Sequence, residues 1–206
     1  MKNISILIAD DHKIVRMGLK SLFKSAKGFT VVGEAEDGNV AVSQALALKP
    51  DIVIMDLMMP NRDGVSATQE IHDKLPGTKI IVLTSYSTSD AIAAALSNGA
   101  SGAVMKSVDD NGLLATVRTV AAGETFISPE VRGLLDIDPP VRTLSPRQLD
   151  VLDAIVKGFT SSEIATRLNI SRGVVKEHVA VILEKLGASN RAEAVAIALR
   201  KQLVKP

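Results

Sequence analysis

Five short apolar runs, at residues 4–9, 30–35, 51–55, 79–83 and 102–105, recur through the first 124 residues, each followed by an amphipathic stretch. Most of the runs are continuously apolar and β-branched rather than alternating, which is the pattern of parallel strands buried on both faces. The stretches between them begin near Ile14, Asn39, Val65, Asp90 and Asp110 and carry apolar residues at helical spacing. Five βα units in succession, joined by right-handed crossovers, predict an α/β fold: a doubly wound, five-stranded parallel sheet with helices on both faces. Such sheets carry their functional groups in the loops beyond the carboxyl ends of the strands.

The pattern changes after Gly123. Residues 124–142 read as a linker: Ser128-Pro129 opens a short helix to Leu135, and the chain then extends through Pro139-Pro140, which removes donors and disfavours helix before it. The expected domains are 1–123 and 143–206. From Ser145 onward there are only helical segments. Ser145 with Gln148, and Thr160 with Glu163, are capping boxes, the first with Pro146 at the first helical position. Lys157-Gly158 closes the first of these helices, and Asn169-Ile170-Ser171 turns the second into a third over 172–186. Gly187 ends the third, and Asn190 with Glu193 opens a fourth. A small all-α, four-helix domain follows, with a helix-turn-helix over its second and third helices.

Composition removes several classes of function. The chain of 206 residues is 46% apolar and 23% charged, as in soluble globular proteins. It has no cysteine, which excludes disulfides, thiol nucleophiles and thiolate zinc sites, and His12, His72 and His178 are too scattered to suggest a metal centre. Four Phe, one Tyr and no Trp leave almost no stacking platforms for single-stranded nucleic acid. With no leader-like N-terminus and no run of about 18 apolar residues, the expectation is a cytoplasmic protein with no membrane association. The net charge of +1 hides an asymmetry. Residues 1–124 hold twelve Lys/Arg against fourteen Asp/Glu, and residues 143–206 hold ten against six.

Polar residues stand at successive strand ends: Asp10-Asp11 after the first, Asp56 after the third, Thr84 after the fourth and Lys106 after the fifth. Taken singly, an Asp pair after a strand is a solvated loop or a helix cap, Lys106 a solvent lysine and Thr84 a loop hydroxyl. Taken together they converge on one sheet edge, where three carboxylates repel one another unless they share a cation. An all-oxygen site with few protein ligands suits Mg²⁺. With a hydroxyl and an ammonium opposite, the set reads as phosphoryl transfer onto a carboxylate.

ILIADDH, DIVIMDLMMPNRDG, IIVLTSY and GASGAVMKS, in this order, resemble the receiver domain of two-component response regulators, a flavodoxin-like fold, over about residues 1–123. The resemblance implies that Asp56 is the phosphoacceptor, with a phosphohistidine on a sensor histidine kinase as donor. It implies a Mg²⁺ site of Asp10, Asp11, Asp56 and the Met58 backbone carbonyl, and phosphoryl contacts from Thr84 and Lys106. His12 reads as a surface residue beside the acidic pair. Two positions depart from the pattern: Ala103 stands where receivers often carry a switch aromatic, and Ser107 replaces the proline that frequently follows the lysine. A cis peptide before Ser107 would cost about 3 kcal/mol, so the loop geometry is expected to differ. Met58 and Tyr86 flank the path of an attacking water and offer it no orienting carboxylate or amide, which predicts slow self-dephosphorylation.

By topology alone, residues 160–186 fit an ordinary small helical bundle better than a DNA-binding unit. The segment from Leu144 through Ala198, however, resembles the LuxR-type DNA-binding domain, so that the chain is similar from end to end to NarL/FixJ-family response regulators. Lys176, Glu177 and Ala180 then occupy groove-facing positions, able to meet guanine or phosphate, cytosine N4 and a thymine methyl; Glu177 also reads as a solvated residue making no base contact. Arg172, Lys185 and Arg191 are the expected phosphate anchors, while Ser161 and Ser162 stand where relatives often carry amide and basic side chains. The modest charge of residues 143–206 points to a homodimer on two half-sites of double-stranded DNA, with RNA polymerase as a further partner. The implied function is a phosphorylation-dependent transcriptional regulator rather than an enzyme. A phosphate-independent regulator and a freestanding phosphatase are the rival readings.

Overall fold

A computed structural model of the chain describes residues 3–85, 89–137, 140, 144–201 and 203–204. It divides into two compact units, Met1–Pro139 and Pro140–Pro206. Among the described residues no helix is long and apolar enough to cross a membrane.

The first unit alternates strand and helix: β1 Ile4–Ala9, α1 Lys13–Ser25, β2 Phe29–Ala35, α2 Gly38–Leu48, β3 Ile52–Met55, α3 Gly64–Lys74, β4 Lys79–Thr84, α4 Ser89–Ser97, β5 Gly102–Met105, α5 Asp110–Ala121, β6 Phe126–Ile127 and α6 Pro129–Ile137. All the strands are parallel, in the order β2-β1-β3-β4-β5-β6. The sheet therefore has six strands rather than the five expected. The sixth is two residues long, with Gly102 paired to Phe126 and Ala103 to Ile127, and a run that short carries no periodicity to read.

The strands are apolar on both sides because both sides are covered. Ile6, Ile8, Ile52, Ile54, Ile81, Leu83 and Val104 pack with Leu19 and Phe23 of α1 and Leu113, Val117 and Val120 of α5. Their sequence neighbours face the other way: Leu7, Ala9, Val53, Met55 and Ile80 meet α2 and α3, and Val82 and Ala103 meet Ile92 and Ala95 of α4 and Val131 of α6. Residues 124–142, read from sequence as a linker with a short helix to Leu135, contain that helix as α6, docked on the sheet, and in addition β6. Pro139 and residues 141–143 lie outside the described residues, as does Tyr86.

The second unit holds α7 Pro146–Val156, α8 Ser161–Leu168, α9 Arg172–Leu186 and α10 Arg191–Arg200 around one core that includes Val151, Leu152, Ile155, Ile164, Val175, Ile182, Leu186, Ala194 and Ala198. Both capping boxes form, with Ser145 and Gln148 on α7 and Thr160 and Glu163 on α8. Asn169, in the left-handed conformation at φ 50°, ends α8 and lets the chain turn into α9, whose first N–H groups are capped by Ser171.

Candidate functional site

Register places the pocket. Ala9 pairs with Met55, so Asp10 and Asp56 leave adjacent strands one step later, side by side. Thr84 pairs with Met105, and Lys106 follows with its N–H on the Thr84 carbonyl at 2.7 Å. Asp10, Asp56 and Thr84 are all buried. The Lys106 ammonium joins the two carboxylates: it donates to Asp56 Oδ2 at 2.7 Å and lies 2.6 Å from Asp10 Oδ2. The second contact pairs Asp10 Oδ2 with the same cation, so one ammonium serves both buried carboxylates.

Electrostatics follows from this packing. Burial raises the pKa of Asp56, with Lys106 opposing the rise. Burial also works against the charge on Lys106, but the carboxylates of Asp10 and Asp56 outweigh it and the net pKa is raised. The outer side of the pocket is more open. The His12 backbone N–H donates to Asp10 Oδ1 at 2.8 Å, the Met58 backbone N–H lies 3.4 Å from Asp56 Oδ1, and Asp11 is exposed. Ligand atoms of Asp10, Asp11, His12 and Asp56 all fall within 4.8 Å of one another. Three carboxylates facing one ammonium leave an excess of negative charge, and this oxygen-rich donor set fits a divalent cation.

The loop after Asp56 is shaped by a close approach. Gly64 donates to the Leu57 carbonyl, and a Cβ at Gly64 would lie 1.9 Å from the Asp56 carbonyl oxygen. Gly38 does the same against Arg62, whose carbonyl accepts its N–H. The Lys106–Ser107 bond is trans.

Sequence reasoning missed Arg16. From one turn into α1 its guanidinium donates to the carbonyls of Asp10 at 2.7 Å and Asp11 at 3.3 Å, and it pairs with Glu34 on β2. It holds the acidic loop through backbone rather than side-chain oxygens, so nothing in its spacing marks it.

In the second unit, Arg172, Lys176, Glu177 and Ala180 are exposed along α9, opposite the buried Val175, Ile182 and Leu186. The structure therefore puts these four on an outward face. Lys185 and Arg191 are half-buried and engaged within the unit, Lys185 with Gln148 Oε1 at 2.9 Å and Arg191 with the Phe159 carbonyl. Ser161 is half-buried and Ser162 exposed.

A parallel doubly wound sheet with a carboxylate–lysine pocket, joined to a helix-turn-helix unit with a partly basic outer face, defines a receiver domain coupled to a DNA-binding domain. Residues 6–118 match the response regulator receiver domain, and residues 142–198 match the bacterial regulatory proteins of the luxR family. The chain belongs to the two-component response regulators with a LuxR-type DNA-binding domain, which are DNA-binding transcription regulators.

Its relatives share the whole arrangement. The oxygen regulatory protein NreC of Staphylococcus carnosus (strain TM300) is 36% identical over 215 residues, covering 98% of this chain and 99% of that protein. The response regulator ChrA of a heme-sensing two-component system has a crystal structure similar over 99% of this chain and 100% of its own, at 32% identity and a TM-score of 0.59. RcsB, solved as two dimers on two parallel DNAs, is similar over 97% of this chain and 99% of its own, at 29% identity and a TM-score of 0.69.

Proposed function

We propose that Asp56 accepts a phosphoryl group from a phosphohistidine of a sensor histidine kinase and that this modification switches DNA binding by the C-terminal unit. The observation that carries the reading is the buried Asp56 carboxylate, held through Oδ2 by Lys106 and with its other oxygen 3.4 Å from the backbone N–H of the exposed Met58. An Asp56 oxygen forms the bond to phosphorus as the P–N bond to the donor imidazole breaks and its electron pair returns to the ring nitrogen. Asp10, Asp11, Asp56 and the Met58 carbonyl would hold a Mg²⁺ ion, which would neutralise charge on the phosphoryl oxygens. Lys106 is placed to pair with one of those oxygens in exchange for its bond to Asp56, and Thr84, at the end of the neighbouring strand, takes another. The resulting movement biases a two-state equilibrium in the loops that Thr84 and Lys106 open.

The exposed Met58 gives an attacking water no orienting group, which supports slow loss of the phosphoryl group and argues against turnover of external substrates. On α9, Lys176, Glu177 and Ala180 read bases and Arg172 anchors a phosphate. Lys185 and Arg191 reach the backbone only by sharing their present bonds. The modest charge of the unit and the dimers of RcsB on DNA support a homodimer on two half-sites, in the cytoplasm, with RNA polymerase as the downstream partner. Comparison of DNA binding by wild type and Asp56→Asn, with and without a small phosphodonor and Mg²⁺ at stated salt, tests this. The wild type alone should tighten on DNA or change its binding; an identical response from both proteins would leave a phosphate-independent regulator.

A further inference from the structure

His12 has no part in the phosphoryl transfer proposed above, yet it faces the pocket. Lys106 takes up the Oδ2 atoms of Asp10 and Asp56, so their Oδ1 atoms lie on the far side from the ammonium. On that side His12 Nδ1 lies 2.7 Å from Asp11 Oδ1 and 3.4 Å from Asp10 Oδ1. Adjacent ligands of an octahedral ion with bonds of about 2.1 Å are roughly 3 Å apart, and opposite ligands roughly 4.2 Å. The two separations bracket that edge, and the ligand atoms of Asp10, Asp11, His12 and Asp56 lie within 4.8 Å of one another. Asp10 is 2% exposed, and with Asp11 and Asp56 it sets three carboxylates against the one ammonium of Lys106, so the cluster keeps an excess of negative charge that a cation would offset. His12 itself is 68% exposed.

We propose that His12 Nδ1 is a metal ligand of this pocket, making it a mixed nitrogen–oxygen site that binds borderline divalent cations such as Ni²⁺, Co²⁺ and Zn²⁺ in competition with Mg²⁺. Mg²⁺ is a hard cation satisfied by oxygen and water, so the imidazole adds little to its binding. For the later first-row ions an imidazole is a favoured ligand, and their affinity for a given nitrogen–oxygen site rises toward nickel and copper. His12 then works as a selectivity element: in its presence the ions that share the phosphoacceptor carboxylates include ones that Mg²⁺ displaces poorly. The inference rests on reading the acidic cluster as a divalent-cation site.

Untagged full-length wild type, His12→Gln and Asp11→Asn are titrated with Mg²⁺ and separately with Ni²⁺ by calorimetry at one fixed pH, and the Co²⁺-loaded proteins are examined by proton NMR. His12→Gln should weaken Ni²⁺ at least tenfold while leaving Mg²⁺ within twofold. The wild type with Co²⁺ should show a hyperfine-shifted imidazole N–H resonance that His12→Gln lacks. Equal Ni²⁺ affinity in wild type and His12→Gln, or an equal loss for both metals, would overturn the assignment of His12. Asp11→Asn separates the two layers. If it leaves Mg²⁺ binding unchanged, the cation-site reading itself falls, whereas if it weakens Mg²⁺ and His12→Gln changes nothing, only the histidine assignment falls.

Discussion

The Lys106 ammonium stands 2.7 Å from Asp56 Oδ2 in a site whose burial raises the pKa of that carboxyl. A raised folded-state value means that Asp56 contributes stability below its unfolded pKa of about 3.9 and that this contribution is lost as pH rises through the folded value. At neutral pH the ionised Asp56 therefore costs stability. Without Mg²⁺, Asp56→Asn should unfold at a higher urea concentration than wild type at neutral pH, and the gap should close as the pH approaches 4. Coincident midpoints at neutral pH would contradict the burial argument.

Removing the cation has the opposite sign. Lys106→Met leaves Asp10 and Asp56 facing each other in a buried site without their shared ion, at a cost of about 3 kcal/mol. Thermal melts should show the loss, and added Mg²⁺ should recover more stability in this variant than in wild type. Equal Mg²⁺ shifts in the two proteins would mean that ammonium and metal do not relieve the same repulsion.

At Gly64 the constraint is steric. A Cβ there would meet the Asp56 carbonyl at 1.9 Å, so Gly64→Ala must push the loop away from the phosphoacceptor. Overpacking of this kind costs about 1–3 kcal/mol, and labelling by a small phosphodonor should slow at least tenfold. Gly133→Ala, in α6 with nothing within 4 Å of the added Cβ, is the control; it should be neutral or stabilising, by up to about 1 kcal/mol.

Two arginines expected as phosphate anchors should behave differently. Arg172 is exposed on α9, so Arg172→Ala should leave the melting of the C-terminal unit unchanged, weaken binding about equally across DNA sequences and reduce the salt slope by about 1. Arg191 bonds the Phe159 carbonyl, so Arg191→Ala should lower the melting temperature of that unit first. A full loss of DNA affinity in Arg191→Ala with unchanged melting would reverse this ranking.

What could be read from sequence was what is local or periodic. The capping boxes at Ser145 and Thr160 span three residues, and the buried strands announce themselves by being apolar throughout. The carboxylates and lysine of the pocket were legible because each sits one step past a strand. Arg16 was not, since its partners are carbonyls that every residue has. Arg191 and Lys185 show the same limit from the other side: the bonds they make to the Phe159 carbonyl and to Gln148 within the unit leave no mark in the sequence. The two-residue β6 had too little pattern to register.

Ala103 illustrates what that added strand means. It is fully buried, pairs with Ile127 of β6, accepts a hydrogen bond from the Ser128 N–H and shares its apolar cluster with Val131 of α6. With only a methyl at this position, β5 and α6 share a tightly packed apolar cluster. Among the described residues that helix is the last element before the second unit, so strand β5, which ends one residue before the lysine of the pocket, is also hydrogen-bonded to the segment that carries the chain toward DNA.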